Sequence, residues 1–63
     1  MAYTIRDSAR AFDAAIEAGY LNTNQNSVRC VSNYMYMYTD TTTGADSFKH
    51  IITRQYLKVP AKN

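Results

Sequence analysis

Between Asn33 and Thr39 tyrosine and methionine alternate one for one, as Tyr34, Met35, Tyr36, Met37 and Tyr38. Successive side chains of a strand point to opposite sheet faces. This spacing therefore predicts a strand with Tyr34, Tyr36 and Tyr38 on one face and Met35 and Met37 on the other. Both faces then need cover, and a chain of 63 residues supplies one covering layer. The alternation thus constrains the fold to a small sheet with a helix on one side and a second face whose occupant has to be found.

A chain of this size buries only about 60% of the surface that its unfolded form exposes. At 46% hydrophobic and 13% aromatic residues, the chain is short of size and not of apolar character. Small domains compensate with disulfides, metals or association. Cys30 is the single cysteine and His50 the single histidine, which excludes an intrachain disulfide and leaves a structural zinc site short of ligands. No metal or cofactor is expected. Association remains, and a homo-oligomer, with a dimer favoured, is the expectation.

No apolar run approaches the roughly 20 residues of a membrane span, so no membrane partner is expected. The start, Met1 to Asp7, lacks the basic and apolar blocks of a secretory signal. With a free thiol, this points to a cytoplasmic protein. The formal net charge of +2 is unevenly spread. Residues 1–26 set Arg6 and Arg10 against Asp7, Asp13 and Glu17, whereas residues 27–63 set Arg29, Lys49, Arg54, Lys58 and Lys62 against Asp40 and Asp46.

Thr4 and Asp7 have the spacing of a capping box, and Ile5, Ala9, Phe12 and Ile16 follow on one helical stripe. A helix over about residues 5–18 is predicted, ended by Gly19. Residues 22–27 are polar throughout and read as a loop. A first strand is expected over about 28–39, a hairpin turn at 40–45 with Asp40 accepting from its backbone and Gly44 at positive φ, and a second strand over about 47–59. That last segment is ambiguous, because Phe48, Ile51, Ile52 and Gln55 also recur at helical spacing behind a candidate N-cap, Asp46. Residues 60–63 are expected to form a frayed tail. The whole chain, 1–63, is read as a single α+β domain, an N-terminal helix packed on a two-stranded antiparallel hairpin (α-β-β) whose sheet is extended or covered by self-association.

Pairing Asp40 with Ala45 places Met35, Met37, Phe48, Ile52 and Tyr56 on the helix-covered face and leaves Tyr34, Tyr36 and Tyr38 open beside Lys49. Arg54 and Lys58 alternate with apolar residues on the second strand, a pattern that also suits a strand edge protected by charge. The candidate partner surface is Tyr34, Tyr36, Tyr38, Lys49, Arg54 and Lys58. Cys30 and His50, the one pair resembling a nucleophile and base, fall on opposite faces, so no catalytic residue is assigned. The expectation is a non-enzymatic interaction or accessory module that self-associates. The alternative is a small nucleic-acid-binding module using the tyrosines for bases and the cations for phosphates.

Overall fold

The computed structural model describes residues 2–61. Its helix, α1 (Ser8–Glu17), is defined by its two ends. Asp7 is the N-cap and accepts a hydrogen bond from the Ala9 N–H at 3.0 Å. Thr4 does not cap the helix, because Tyr3–Thr4 form a short strand, β1, and hold the chain extended there. At the other end Gly19, at φ 84°, donates to the Ile16 carbonyl while Tyr20 donates to that of Ala15. These two bonds satisfy carbonyls of the last turn and turn the chain back, burying Leu21.

The helix is rotated relative to the stripe expected from the sequence. Ala11 and Ala15 are fully buried, Phe12 and Ile16 flank them, and Ile5 and Ala9 are exposed. The two alanines leave only methyl groups at the contact, so the helix backbone can lie close to the sheet. Phe12 then reaches Phe48 with ring centroids 5.0 Å apart.

After α1 the asparagines fold the loop on itself. Asn22 Oδ1 accepts from the Asn24 N–H, Asn24 Oδ1 accepts from the Asn26 N–H, and the Asn22 amide donates to Ser27 Oγ. These bonds carry the chain through Val28 and Arg29, which are in a turn and not in a strand, to a short 3-10 turn at Val31–Asn33. The first long strand, β2, starts only at Tyr34 and runs to Asp40.

The sheet has four strands and not two. β1, β2, β3 (Asp46–His50) and β4 (Tyr56–Val59) lie side by side in that order, and every neighbouring pair is antiparallel. The expected strand over 47–59 is broken by a second hairpin turn at 51–55, and the helical reading of that segment is not realised. Of the expected frayed tail, Lys62 and Asn63 lie outside the described residues.

The two hairpin loops are built alike, ten residues apart. In the first, the Asp40 N–H donates to the Ala45 carbonyl and the Gly44 N–H to that of Asp40, while Asp40 Oδ1 accepts from the Thr42 and Thr43 N–H groups. In the second, the His50 N–H donates to the Gln55 carbonyl and the Arg54 N–H to that of His50, while His50 Nδ1 accepts from the Ile52 and Thr53 N–H groups. Thr43 and Thr53 each accept from the N–H two residues on. Both loops pass through the left-handed region at their fifth position, Gly44 at φ 77° and Arg54 at φ 63°. For a residue with a Cβ this conformation costs roughly 1–2 kcal/mol. The sequence announces the first loop through Asp40 and Gly44 and conceals the second, where a histidine replaces the capping carboxylate and an arginine the glycine.

One irregularity decides which side chains face the helix. Tyr34 pairs with His50, Met35 with Lys49 and Tyr36 with Phe48, but Tyr38 pairs with Ser47 and Thr39 with Asp46, so Met37 is an extra residue in a bulge. An extra residue reverses the alternation beyond it. Tyr34 and Tyr36 therefore share the helix side with Phe48, and Tyr38 points to the opposite face. The expectation that the three tyrosines share an open face is corrected on this ground, as is the placing of Met35 against the helix; Tyr56 leaves the helix side because the second hairpin turn sets it opposite Lys49.

Between β1 and α1 a closed set of hydrogen bonds ties the helix entry to the sheet. The Arg6 N–H donates to the Tyr36 hydroxyl at 3.0 Å, Tyr36 to Thr39 Oγ1, and Thr39 to Asp46 Oδ1. Arg6 Nε returns to Asp46 Oδ1 at 3.0 Å, and a second guanidinium nitrogen bonds Oδ2. Burial alone would raise the Asp46 pKa, but the hydrogen bonds from Arg6 and Thr39 and the Arg6 charge outweigh it and hold the carboxyl below its ordinary value. The hydrogen bond to Asp46 raises the pKa of Arg6 in turn.

Candidate interaction face

With α1 on one side, the register fixes what the other side of the sheet presents, because residues directly opposite in neighbouring strands share a face. One cross-strand row is Met35, Lys49 and Tyr56; the next is Tyr38, Ser47 and Lys58. Tyr3 is opposite Asp40 and tilts against Tyr38, with ring centroids 5.4 Å apart and planes at 49°. Lys49 Nζ stands over the Tyr56 ring, 5.7 Å from its centroid. Tyr3, Tyr56 and Met35 are 65%, 51% and 47% exposed. Ser47 is the exception, buried within its row between Tyr38 and Lys58.

Two shallow cavities mark the ends of this face. At one end Tyr3, Tyr38, Asp40, Thr43, Ser47 and Lys58 help to enclose about 210 Å3. At the other, Met35, Lys49, His50, Ile51 and Arg54 enclose about 270 Å3. Because His50 Nδ1 accepts two turn hydrogen bonds, the proton of the neutral ring is on Nε2. Among the described residues the carboxylate on the face is that of Asp40, whose Oδ1 is engaged by the turn amides.

Of the six residues proposed from sequence, Tyr38, Lys49 and Lys58 lie on this face, and Arg54 stands at its edge beside Lys49. Tyr34 and Tyr36 do not. Tyr34 sits edge-on to His50, with centroids 5.0 Å apart, and Tyr36 is packed at Phe48 with its hydroxyl in the Arg6–Asp46 set. Tyr3, Met35 and Tyr56 were missed as face residues. Tyr3 and Thr4 are strand formers, but nothing in the sequence says which strand they join; Met35 is displaced by the bulge and Tyr56 by the second turn.

Cys30, His50 and Asp46 each hold a hydrogen bond within the fold. Cys30 is buried with its sulfur 3.2 Å from Ser32 Oγ, and that hydrogen bond lowers the thiol pKa. Among the described residues no three His, Cys, Asp or Glu side chains come together as a metal site, and no helix is long and apolar enough to cross a membrane. No known protein family, curated protein or solved structure matches the chain.

Proposed function

We propose that the chain is a non-enzymatic interaction module that works through the uncovered face of its sheet. The observation that carries this reading is the pair of half-exposed or more exposed rings, Tyr3 and Tyr56, standing with Met35 on the side away from α1. Exposed aromatic and thioether side chains set among lysines on an uncovered sheet face suit a contact surface. Tyrosine suits it, giving large area with a polar tip and few torsions to order. A binding role is favoured over a catalytic one because Cys30, His50 and Asp46 each have a structural bond to maintain.

The first occupant to consider is a second copy. The fully buried hydrophobic set is small, namely Ala11, Ala15, Leu21, Cys30, Phe48 and Val59, and association would add the core that the chain lacks. Light scattering over a dilution series tests this. A dimer that Tyr3→Ser with Tyr56→Ser dissociates is the expected result, and a wild type monomeric at every concentration overturns self-association. A polyanion is the second reading, favoured by Lys49 and Lys58 lying one in each row.

A further inference from the structure

We infer that the cavity beneath the second hairpin, walled by Met35, Lys49, His50, Ile51 and Arg54, is a phosphate subsite, and that with the tyrosines of the same face it holds single-stranded nucleic acid. This rests on the reading of the uncovered face as the working surface and adds the class of its ligand.

Three observations converge on the cavity. Among the described residues its lining carries the cationic side chains of Lys49 and Arg54 and no carboxylate, and His50, opposite Tyr34, borders it from the helix side of the sheet. Its volume of about 270 Å3 admits a phosphodiester group and is too small and open to enclose a whole nucleotide of several rings and charges. Third, Arg54 holds the left-handed position that glycine holds in the matching first loop. A turn alone would be better served by glycine there. The strained backbone keeps a guanidinium at the cavity wall, and an observed outlier of this kind is a reason to look for a ligand.

The rest of the face supplies what a strand of bases needs. Tyr56, on β4, stands beside the cavity under Lys49, and the tilted pair Tyr3–Tyr38 lies in the next row on β1 and β2, with β3 between them and Tyr56. Lys58 shares the row of Tyr38. Tyr56 thus carries a cation over its ring, whereas Tyr3 is opposite Asp40; a ring with a cation beside it is the arrangement in which unpaired bases stack while phosphates are neutralised. A duplex hides its base faces and gains nothing from such rings, so the single strand is the fitting form.

The test is fluorescence anisotropy of a labelled single-stranded oligonucleotide of about 12 nucleotides with the full chain. Three phosphate contacts give a slope of about −2 in log K against log salt, so affinity is expected to drop more than tenfold for a fourfold rise in salt. Arg54→Gly, which removes the strain as well as the charge, is expected to keep the fold, weaken binding several-fold and reduce the slope by about 0.7; Lys49→Gln is expected to do the same. Tyr56→Leu is expected to weaken binding about tenfold with the slope unchanged. If Tyr56→Leu weakens binding but Arg54→Gly and Lys49→Gln do not, the phosphate subsite is overturned and the face reading stands. Equal or tighter binding of a duplex, or no binding at low salt by a wild type whose dimer the tyrosine variants dissociate, overturns the nucleic acid and again leaves the face. Tyrosine variants that change neither binding nor molar mass overturn the face itself.

Discussion

The guanidinium of Arg6 grips the carboxylate of Asp46 from forty positions away in sequence, and the two are unequally placed: the Arg6 side chain is 37% exposed and that of Asp46 5%. Losing either partner therefore has different consequences. Without Asp46, Arg6 can turn to water; without Arg6, a buried carboxylate is left with Thr39 as its donor. Arg6→Met is expected to cost about 3 kcal/mol and Asp46→Asn about 1 kcal/mol at neutral pH. Urea denaturation of the two variants checks the order, and an Asp46→Asn loss as large as that of Arg6→Met would refute the unequal burial.

The same pair sets the response to acid. The Asp46 pKa is lowered in the folded chain by the Arg6 and Thr39 hydrogen bonds and the Arg6 charge acting against burial. The unfolded chain therefore takes up this proton at the higher pH. Stability from the pair is complete above the ordinary carboxylate value of about 3.9 and is lost as pH falls through the lowered folded value. Wild type is expected to lose stability more steeply below about pH 4 than Asp46→Asn, whose thermal midpoint should follow a flatter course; parallel curves would contradict this.

How much of this molecule is legible in the sequence is shown by β2. The Tyr–Met alternation announces a strand, and the helix with its Gly19 end and the Asp40–Gly44 turn announce an α+β unit. What no residue announces is the bulge at Met37, because tyrosine and methionine suit either face and the alternation has no polar member to fix its phase. Two of the three tyrosines expected on the open face, Tyr34 and Tyr36, accordingly lie on the helix side. The second turn was hidden for a related reason: Ile51, Ile52 and Thr53 are strand formers, and the loop is closed by hydrogen bonds from backbone groups to His50 that composition does not reveal.

The bulge makes neighbouring tyrosines energetically unlike. Tyr36 packs at Phe48 and links Arg6 to Thr39, whereas Tyr38 lies against Tyr3 on the open face. Tyr36→Leu is expected to cost about 2–4 kcal/mol and Tyr38→Leu about 1 kcal/mol or less. Chemical denaturation of the two proteins measures the difference. Equal costs would mean that the tyrosines share one environment and that the strand runs without the bulge.

His50 combines two roles that substitution can separate. Its ring meets Tyr34 edge-on, and its Nδ1 caps the second turn. His50→Phe keeps the ring contact and removes the cap, while His50→Asp places at this position the acceptor that the first loop uses and removes the ring. Each is expected to cost about 1 kcal/mol, but only His50→Phe should speed amide hydrogen exchange at Ile52 and Thr53. Unchanged exchange at those two amides in His50→Phe would show that Nδ1 does not hold the turn.

The matched loops give the sharpest contrast, because the same backbone position carries glycine in one and arginine in the other. A Cβ at Gly44 would meet that of Ala61 at 2.9 Å on a backbone already at φ 77°, so Gly44→Ala adds a clash to conformational strain and is expected to cost about 2 kcal/mol or more. At Arg54 the reverse exchange relieves about 1–2 kcal/mol of left-handed strain against a loss of about 0.5–1 kcal/mol from the added freedom of the unfolded chain. Arg54→Gly is therefore expected to be neutral or to raise the melting temperature, by about 4–8 °C for each kcal/mol gained in a domain of this size. Calorimetry on both variants measures the pair. A clear loss of stability in Arg54→Gly would mean that the arginine is kept for contacts within the fold, and the strain at φ 63° would then need no ligand to explain it.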